Sequence, residues 1–158
     1  MNQSVDKIIH GEIPSDNNPG RKDYLIRVSL KSVIFNEAGK VLVVKEKGRD
    51  WWDIPGGGID HGESIKEVLA RELYEEVSLT GDFEYEVILV EDPRYIEKHN
   101  LYQMRITFLV KPKVLEFATG EDGDEIMFID PLQFKHSELI TERKIFEYSD
   151  LASRRAGF

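Results

Sequence analysis

The chain has no cysteine, which excludes disulfides, thiol catalysis and cysteine-ligated zinc. Freedom from disulfides suits the cytosol, and the protein is expected to be cytoplasmic. Long apolar runs are missing as well. The longest, such as residues 41–44 and 87–90, are far too short to cross a bilayer. No charged, apolar and small-residue succession opens the chain as a secretory leader would. Positive charge is scarce: 21 Lys and Arg against 30 Asp and Glu leave a formal net charge of -9. The basic field that nucleic acid or an anionic membrane surface requires is absent, so neither stable nucleic-acid binding nor membrane association is expected. The four histidines, His10, His61, His99 and His136, show no ligand spacing and read as surface residues.

What is present is the composition of an ordinary globular domain. At 41% apolar and 32% charged residues, the chain of 158 residues can bury one proper core, and general disorder is not expected. There is no internal repeat and no low-complexity tract. Residues 1–22 are polar and broken by Pro14, Asn17, Asn18, Pro19 and Gly20, which predicts an irregular N-terminal arm. Residues 23–158 are read as a single domain.

The most informative stretch is residues 57–79, GGIDHGESIKEVLARELYEEVSL. Ser64 and Glu67 form a capping box, each side chain covering a backbone donor that the first helical turn leaves unpaired, so a helix should begin at Ile65. Ile65, Val68, Leu69, Leu73 and Val77 recur at three- and four-residue spacings and turn one side of that helix toward a core. Glu72, Glu75 and Glu76 stand at i, i+3 and i+4, within an arc of about 100° that overlaps the apolar line. Like charges so placed repel, and partial burial raises the cost of ionising them unless a cation sits among them. Oxygen donors suit Mg²⁺, with Mn²⁺ as the alternative. Arg71, four residues before Glu75, is placed to balance and orient the acids.

Gly57, then Glu63, then Arg71-Glu72-Leu73-Tyr74-Glu75-Glu76-Val77-Ser78-Leu79 resembles the Nudix box of the Nudix hydrolase family. Trp52, Pro55, Gly56 and Gly57 match the segment that usually precedes that box. One position departs: Ser78 stands where the family usually has glycine. A left-handed residue there costs roughly 1 kcal/mol when it is not glycine, so the departure bears on how the helix ends, at Ser78 or one turn later at Gly81.

The rest of the chain reads as strands around two helices. Residues 24–35 alternate as a strand, Asn36-Glu37-Ala38-Gly39 turns, and residues 41–45 are expected to return as its hairpin partner. Residues 46–50 are a charged loop and 56–58 a glycine turn. Strands are predicted over 83–90, 101–110 and 125–129, with 95–100 a variable loop and 119–124 an acidic turn. A terminal amphipathic helix over 138–153 uses Leu139, Ile145, Phe146 and Leu151. Trp51, Phe83, Phe108 and Phe128 read as core. The order implies an α/β fold. The resemblance makes it a Nudix-type α/β/α sandwich, with a mixed β-sheet between helices.

The resemblance also implies Mg²⁺-dependent hydrolysis of a pyrophosphate bond in a nucleoside diphosphate linked to another moiety. A divalent ion neutralises phosphate charge and acidifies water. The metal ligands it implies are Glu72, Glu75 and Glu76 with the Gly57 carbonyl, and Glu63 either directly or through water. The catalytic set is Glu75, Glu76, Arg71 and Glu125. The general base is either a glutamate of the helix or Glu125, which reads equally as a solvated acid of the acidic turn. Pro93 and Tyr95 both lie where the family carries subgroup markers, pointing to ADP-ribose and to dinucleoside polyphosphates respectively, and (d)NTPs stay equally open. The nucleobase-holding residue is not legible. A non-catalytic nucleotide-binding regulator of the same fold is the alternative, disfavoured because such proteins usually lose box acids. RNA decapping is disfavoured by the charge. A homodimer is compatible with the sequence.

Overall fold

The computed structural model describes residues 13–14 and 20–157. Most of the expected N-terminal arm lies outside the described residues. Within it, β1 (Ile13–Pro14) pairs antiparallel with β2 (Lys22–Asp23). The remaining strands are β3 (Ile26–Val33), β4 (Val41–Glu46), β5 (Gly56–Gly58), β6 (Phe83–Val90), β7 (Arg94–Ile96), β8 (Leu101–Pro112) and β9 (Gly123–Ile129). The helices are α1 (Ile65–Val77) and α2 (Ile140–Ala156). No described helix is long and apolar enough to cross a membrane.

A mixed sheet carries the fold. Its order is β5-β3-β8-β6, with β7 extending the β6 side of β8; β3 runs parallel to β8 and every other pairing is antiparallel. Strands covered on both faces must be apolar in both registers, and β4 shows it. Leu42 and Val44 join the core under α1, with Leu30, Val68, Leu69, Leu73 and Phe108. Val41 and Val43 join the core under α2, with Val33, Leu109, Ile145 and Tyr148. Burying such side chains contributes roughly 1.5–3 kcal/mol each. Two apolar layers, one on each face, make the α/β/α sandwich that was expected.

The 36–39 turn forms, with the Asn36 side chain accepting from the Ala38 and Lys40 amides, but the hairpin does not. Beyond one bridge between Phe35 and Val41, β4 leaves β3 and pairs with β9 instead. The reason is edge occupancy: residues 29–31 of β3 already pair with β5, and its whole other edge pairs with β8. Other expectations shift similarly. The glycine turn is a short strand on β3, and the 95–100 loop holds the end of β7 and a 3-10 turn, Glu97–His99. Ile65 and Leu139 are exposed and do not belong to the apolar faces assigned to them. Of the expected core aromatics, Phe83 and Phe108 are buried, whereas Trp51 and Phe128 are half-buried.

The helix α1 begins as expected. Ser64 accepts from the Glu67 amide, and Glu67 accepts from the Ser64 amide at 2.7 Å. It ends at Ser78, not at Gly81: Ser78 adopts the left-handed conformation (φ 53°), and its amide donates back to the last turn. Its hydroxyl donates to the Thr119 carbonyl.

Candidate functional site

The acidic face of α1 is organised by one guanidinium. Arg71 holds Glu63 in a fork, Nε to Oε1 at 2.6 Å and Nη2 to Oε2 at 2.9 Å. Its Nη2 also donates to the Gly58 carbonyl, and its Nη1 donates to Glu72 at 2.6 Å and to Glu75 at 3.3 Å. The box loop, β5 and two helical carboxylates are thus tied to a single side chain. Forked charge-assisted bonds of this kind are strong and directional. Glu63 is pulled down to about 2, chiefly by its bonds from Arg71 and then by the Asp60 amide.

Glu76 lies deeper. It is 4% exposed and accepts from the Gly56 amide at 3.2 Å. Burial pushes its carboxyl up to about 8, against the opposing pull of the Lys31 ammonium. Burial also raises Glu72, partly offset by Arg71. Lys31 sits behind β5, its ammonium 2.7 Å from Asp53 and 3.1 Å from the Ile54 carbonyl. Gly57 lets the Glu72 carboxylate sit against the backbone: a Cβ there would lie 2.2 Å from Glu72 Oε1 and would push that side chain aside.

A second contact set frames the C-terminal end of α1. The amides of Ala118, Gly120 and Asp122 donate to the carbonyls of Val77, Glu76 and Glu75, satisfying acceptors that a helix end leaves open. The approach is so close that a Cβ on Gly120 would stand 2.0 Å from the Glu75 carbonyl oxygen. This loop in turn pins the β4–β5 turn, since the Lys47 amide donates to the Asp122 carbonyl and the Gly48 amide to the Asp124 carboxylate.

Between these parts lies a cavity of about 380 Å³. Gly56, Gly57, Glu72, Glu75 and Glu76 line one part of it, and Glu46, Lys47, Arg49 and Asp122 the rest. The structure therefore brings together Gly57, Glu63, Arg71, Glu72, Glu75 and Glu76. It does not bring in Glu125, which pairs with Lys45 at 3.1 Å and does not line the cavity. Sequence reading missed the four residues of the second group. The signal for Glu46, Lys47 and Arg49 was a charged run, residues 46–50, immediately before the tryptophan and glycine segment, and that for Asp122 was the acidic turn at 119–124.

Hard oxygen donors are the right type for Mg²⁺ or Mn²⁺, and four carboxylates against one guanidinium leave an excess of negative charge that a cation would relieve. Among the described residues no three such side chains are gathered tightly enough to clasp one ion as they stand. Arg71 Nη1 takes Glu72 and Glu75, and Glu76 is turned to the Gly56 amide. The donors fit a divalent ion in kind, with Arg71 as the competitor it would displace.

The raised carboxyl of Glu76 has a stability consequence. Between its unfolded value, 4.5, and about 8 the folded chain binds the extra proton, so this contribution is complete below pH 4.5 and is lost as pH rises through 8. In chelator the melting temperature should therefore fall from pH 5.5 to pH 8.5, and Glu76→Gln should flatten that slope. Mg²⁺ should raise the melting temperature more at the higher pH, because a metal binds the deprotonated form. A wild-type slope that the substitution leaves unchanged would show that Glu76 does not carry it.

Comparison with known proteins gives a consistent picture. The family model described as NUDIX domain matches residues 25–148. A Bacillus subtilis (strain 168) protein provisionally named 8-oxo-dGTP diphosphatase is 32% identical over 75 residues, covering 48% of this chain and 50% of that one. An RNA pyrophosphohydrolase of Actinobacillus pleuropneumoniae serotype 5b (strain L20) is 50% identical over 54 residues, 34% of this chain and 26% of its own. The matches thus span half or less of the length of these curated relatives. The crystal structure of a MutT protein from Methanosarcina mazei Go1 superposes with a TM-score of 0.64 at 23% identity, covering 84% of this chain and 96% of that one, and shares the fold.

Proposed function

This chain belongs to the Nudix family, and from that premise we propose that it is a Mg²⁺-dependent hydrolase cutting the pyrophosphate bond of a nucleoside diphosphate linked to another moiety. The observation that carries the reading is the Arg71 hub: it binds Glu63, Glu72 and Glu75, and the last two line one cavity beside Glu76 and the Gly57 backbone. A regulator that binds without turnover would have no need of them all.

Glu72, Glu75 and Glu76 would hold the ion, with the Gly57 carbonyl and Glu63 beside them. Once bound, a divalent cation withdraws charge from phosphate oxygens and acidifies water. The chain's own residues do the remainder. Arg71 keeps Glu63 and the box loop fixed while it yields the helical acids. In the cut itself, water adds to one phosphorus, the bond from that phosphorus to the bridging oxygen breaks, and the water's proton must find a base within hydrogen-bond reach. We assign that role to Glu75, whose side chain lines the cavity and is 34% exposed. Glu125, engaged with Lys45 outside the lining, is the weaker candidate.

A second reading has an observation of its own. The match to an RNA pyrophosphohydrolase favours the 5′ end of RNA, whose polyphosphate presents the same anhydride. A panel with Mg²⁺, comprising ADP-ribose, dinucleoside polyphosphates, (d)NTPs and 5′-triphosphate RNA, separates the two. Turnover confined to the small nucleotides supports the first reading, and turnover confined to RNA supports the second. Metal-dependent turnover of none of them would leave the binding-only regulator.

A further inference from the structure

The cavity is lined only by charged side chains and glycine backbone; no aromatic or aliphatic side chain reaches it among the described residues. Such a lining recognises phosphates and leaves the nucleoside outside. The lining is also mostly acidic, through Glu46, Glu72, Glu75, Glu76 and Asp122, so an anionic substrate needs cations from the protein as well as metal. Most nearby cations are already engaged. Lys31 is held by Asp53, Lys45 by Glu125, and Arg71 by Glu63, Glu72 and Glu75.

Two cations line the cavity itself, both on the turn after β4. Lys47 is exposed and takes part in no ion pair among the described residues. Arg49 pairs with Glu46 at 2.8 Å, but its side chain is 44% exposed, and exposed pairs of this kind contribute little and exchange readily. A guanidinium can trade one carboxylate for the two oxygens of a phosphate. Their backbone is held in place. The Lys47 amide donates to the Asp122 carbonyl at 2.9 Å, the Gly48 amide to Asp124 at 3.0 Å and the Arg49 amide to the Glu46 carbonyl at 2.9 Å. The loop they lean on is bonded to the Glu75 and Glu76 carbonyls, so the backbone of the turn is tied to the end of α1 that bears the carboxylates. A turn whose backbone is already fixed lowers the ordering cost of binding to that of the two side chains.

We propose that Lys47 and Arg49 form a phosphate clamp that grips the substrate phosphate remote from the metal-held one. The proposal rests on the reading of the site as a diphosphate-cutting centre. It is tested by calorimetric titration of the full chain, with Mg²⁺ present, using methylenediphosphonate, a diphosphate mimic that cannot be cut. Lys47→Gln should weaken binding about tenfold and Lys47→Gln with Arg49→Gln together about a hundredfold, as expected for losing charge-assisted bonds to an anion. Lys47→Arg should bind nearly as the wild type does, and Mn²⁺ affinity without the probe should be unmoved in all three. In turnover the loss should fall on KM more than on kcat. Wild-type affinity in the double variant would overturn the clamp while leaving the diphosphate reading intact. A wild-type chain that binds no diphosphonate would overturn both.

Discussion

Glu75→Gln and Glu76→Gln are expected to keep the fold and to lose at least about 100-fold of Mg²⁺-dependent turnover, equivalent to about 2.7 kcal/mol of transition-state stabilisation. Both substitutions preserve shape and remove one anionic oxygen pair. At Glu76 the amide oxygen can still accept from the Gly56 amide, so the local hydrogen bond survives. At Glu75 the contact weakened is the longest of the hydrogen bonds Arg71 donates, 3.3 Å, and both Glu63 and Glu72 remain to hold the guanidinium. Stability and activity should then move in opposite directions at Glu76. Replacing a buried carboxyl whose charged form is disfavoured stabilises the metal-free chain above neutral pH, while the reaction loses a ligand. A fall in both together would mean that the side chain serves only structure.

The second large effect concerns Lys31 and Asp53, side chains 8% and 15% exposed. Neither belongs to the box, yet Lys31 lies opposite Gly56 in the β3–β5 register and grips the segment leading into Gly57. Removing one member of a buried pair leaves the other uncompensated, at a cost of about 3–5 kcal/mol. Lys31→Ala should therefore destabilise the chain by roughly 3 kcal/mol or more, a large part of the 5–15 kcal/mol that domains typically possess. Lys31→Met with Asp53→Leu should recover most of it, since apolar pairs of similar volume often replace buried ion pairs without loss. Chemical denaturation of the wild type, Lys31→Ala and the double variant decides the matter. If Lys31→Ala matches the wild type, the pair contributes nothing.

How much of this was legible beforehand followed from whether the information was local. The capping box, the apolar line from Val68 to Val77 and the spacing of Glu72, Glu75 and Glu76 are properties of one helix, and the structure has them in place. The partner of β4 is not local. A turn as well formed as Asn36-Glu37-Ala38-Gly39 promised a hairpin, and only the long-range pairing of β3 with β8 and β5 removed that option. Gly120 and Gly123 looked like ordinary turn residues; their need for glycine arises because each packs against a carbonyl at the end of α1, some forty residues earlier in the chain. The ion pair of Lys31 with Asp53 joins residues with no sequence pattern to connect them, and Lys47 and Arg49 gained meaning only once their turn was seen at the cavity. Ser78 is the instructive local case. The missing glycine left the helix end open between Ser78 and Gly81, and the chain accepts a left-handed serine and bonds its hydroxyl to Thr119.

The proposed hydrolysis depends on these carboxylates holding a divalent cation, and Mn²⁺ binding followed by electron paramagnetic resonance measures that without any assumption about substrate. The wild type should show saturable binding, and Glu75→Gln and Glu76→Gln should each weaken it by about tenfold or more while circular dichroism stays unchanged. Equal Mn²⁺ affinity in all three proteins would contradict the assignment of α1 as the metal-bearing element.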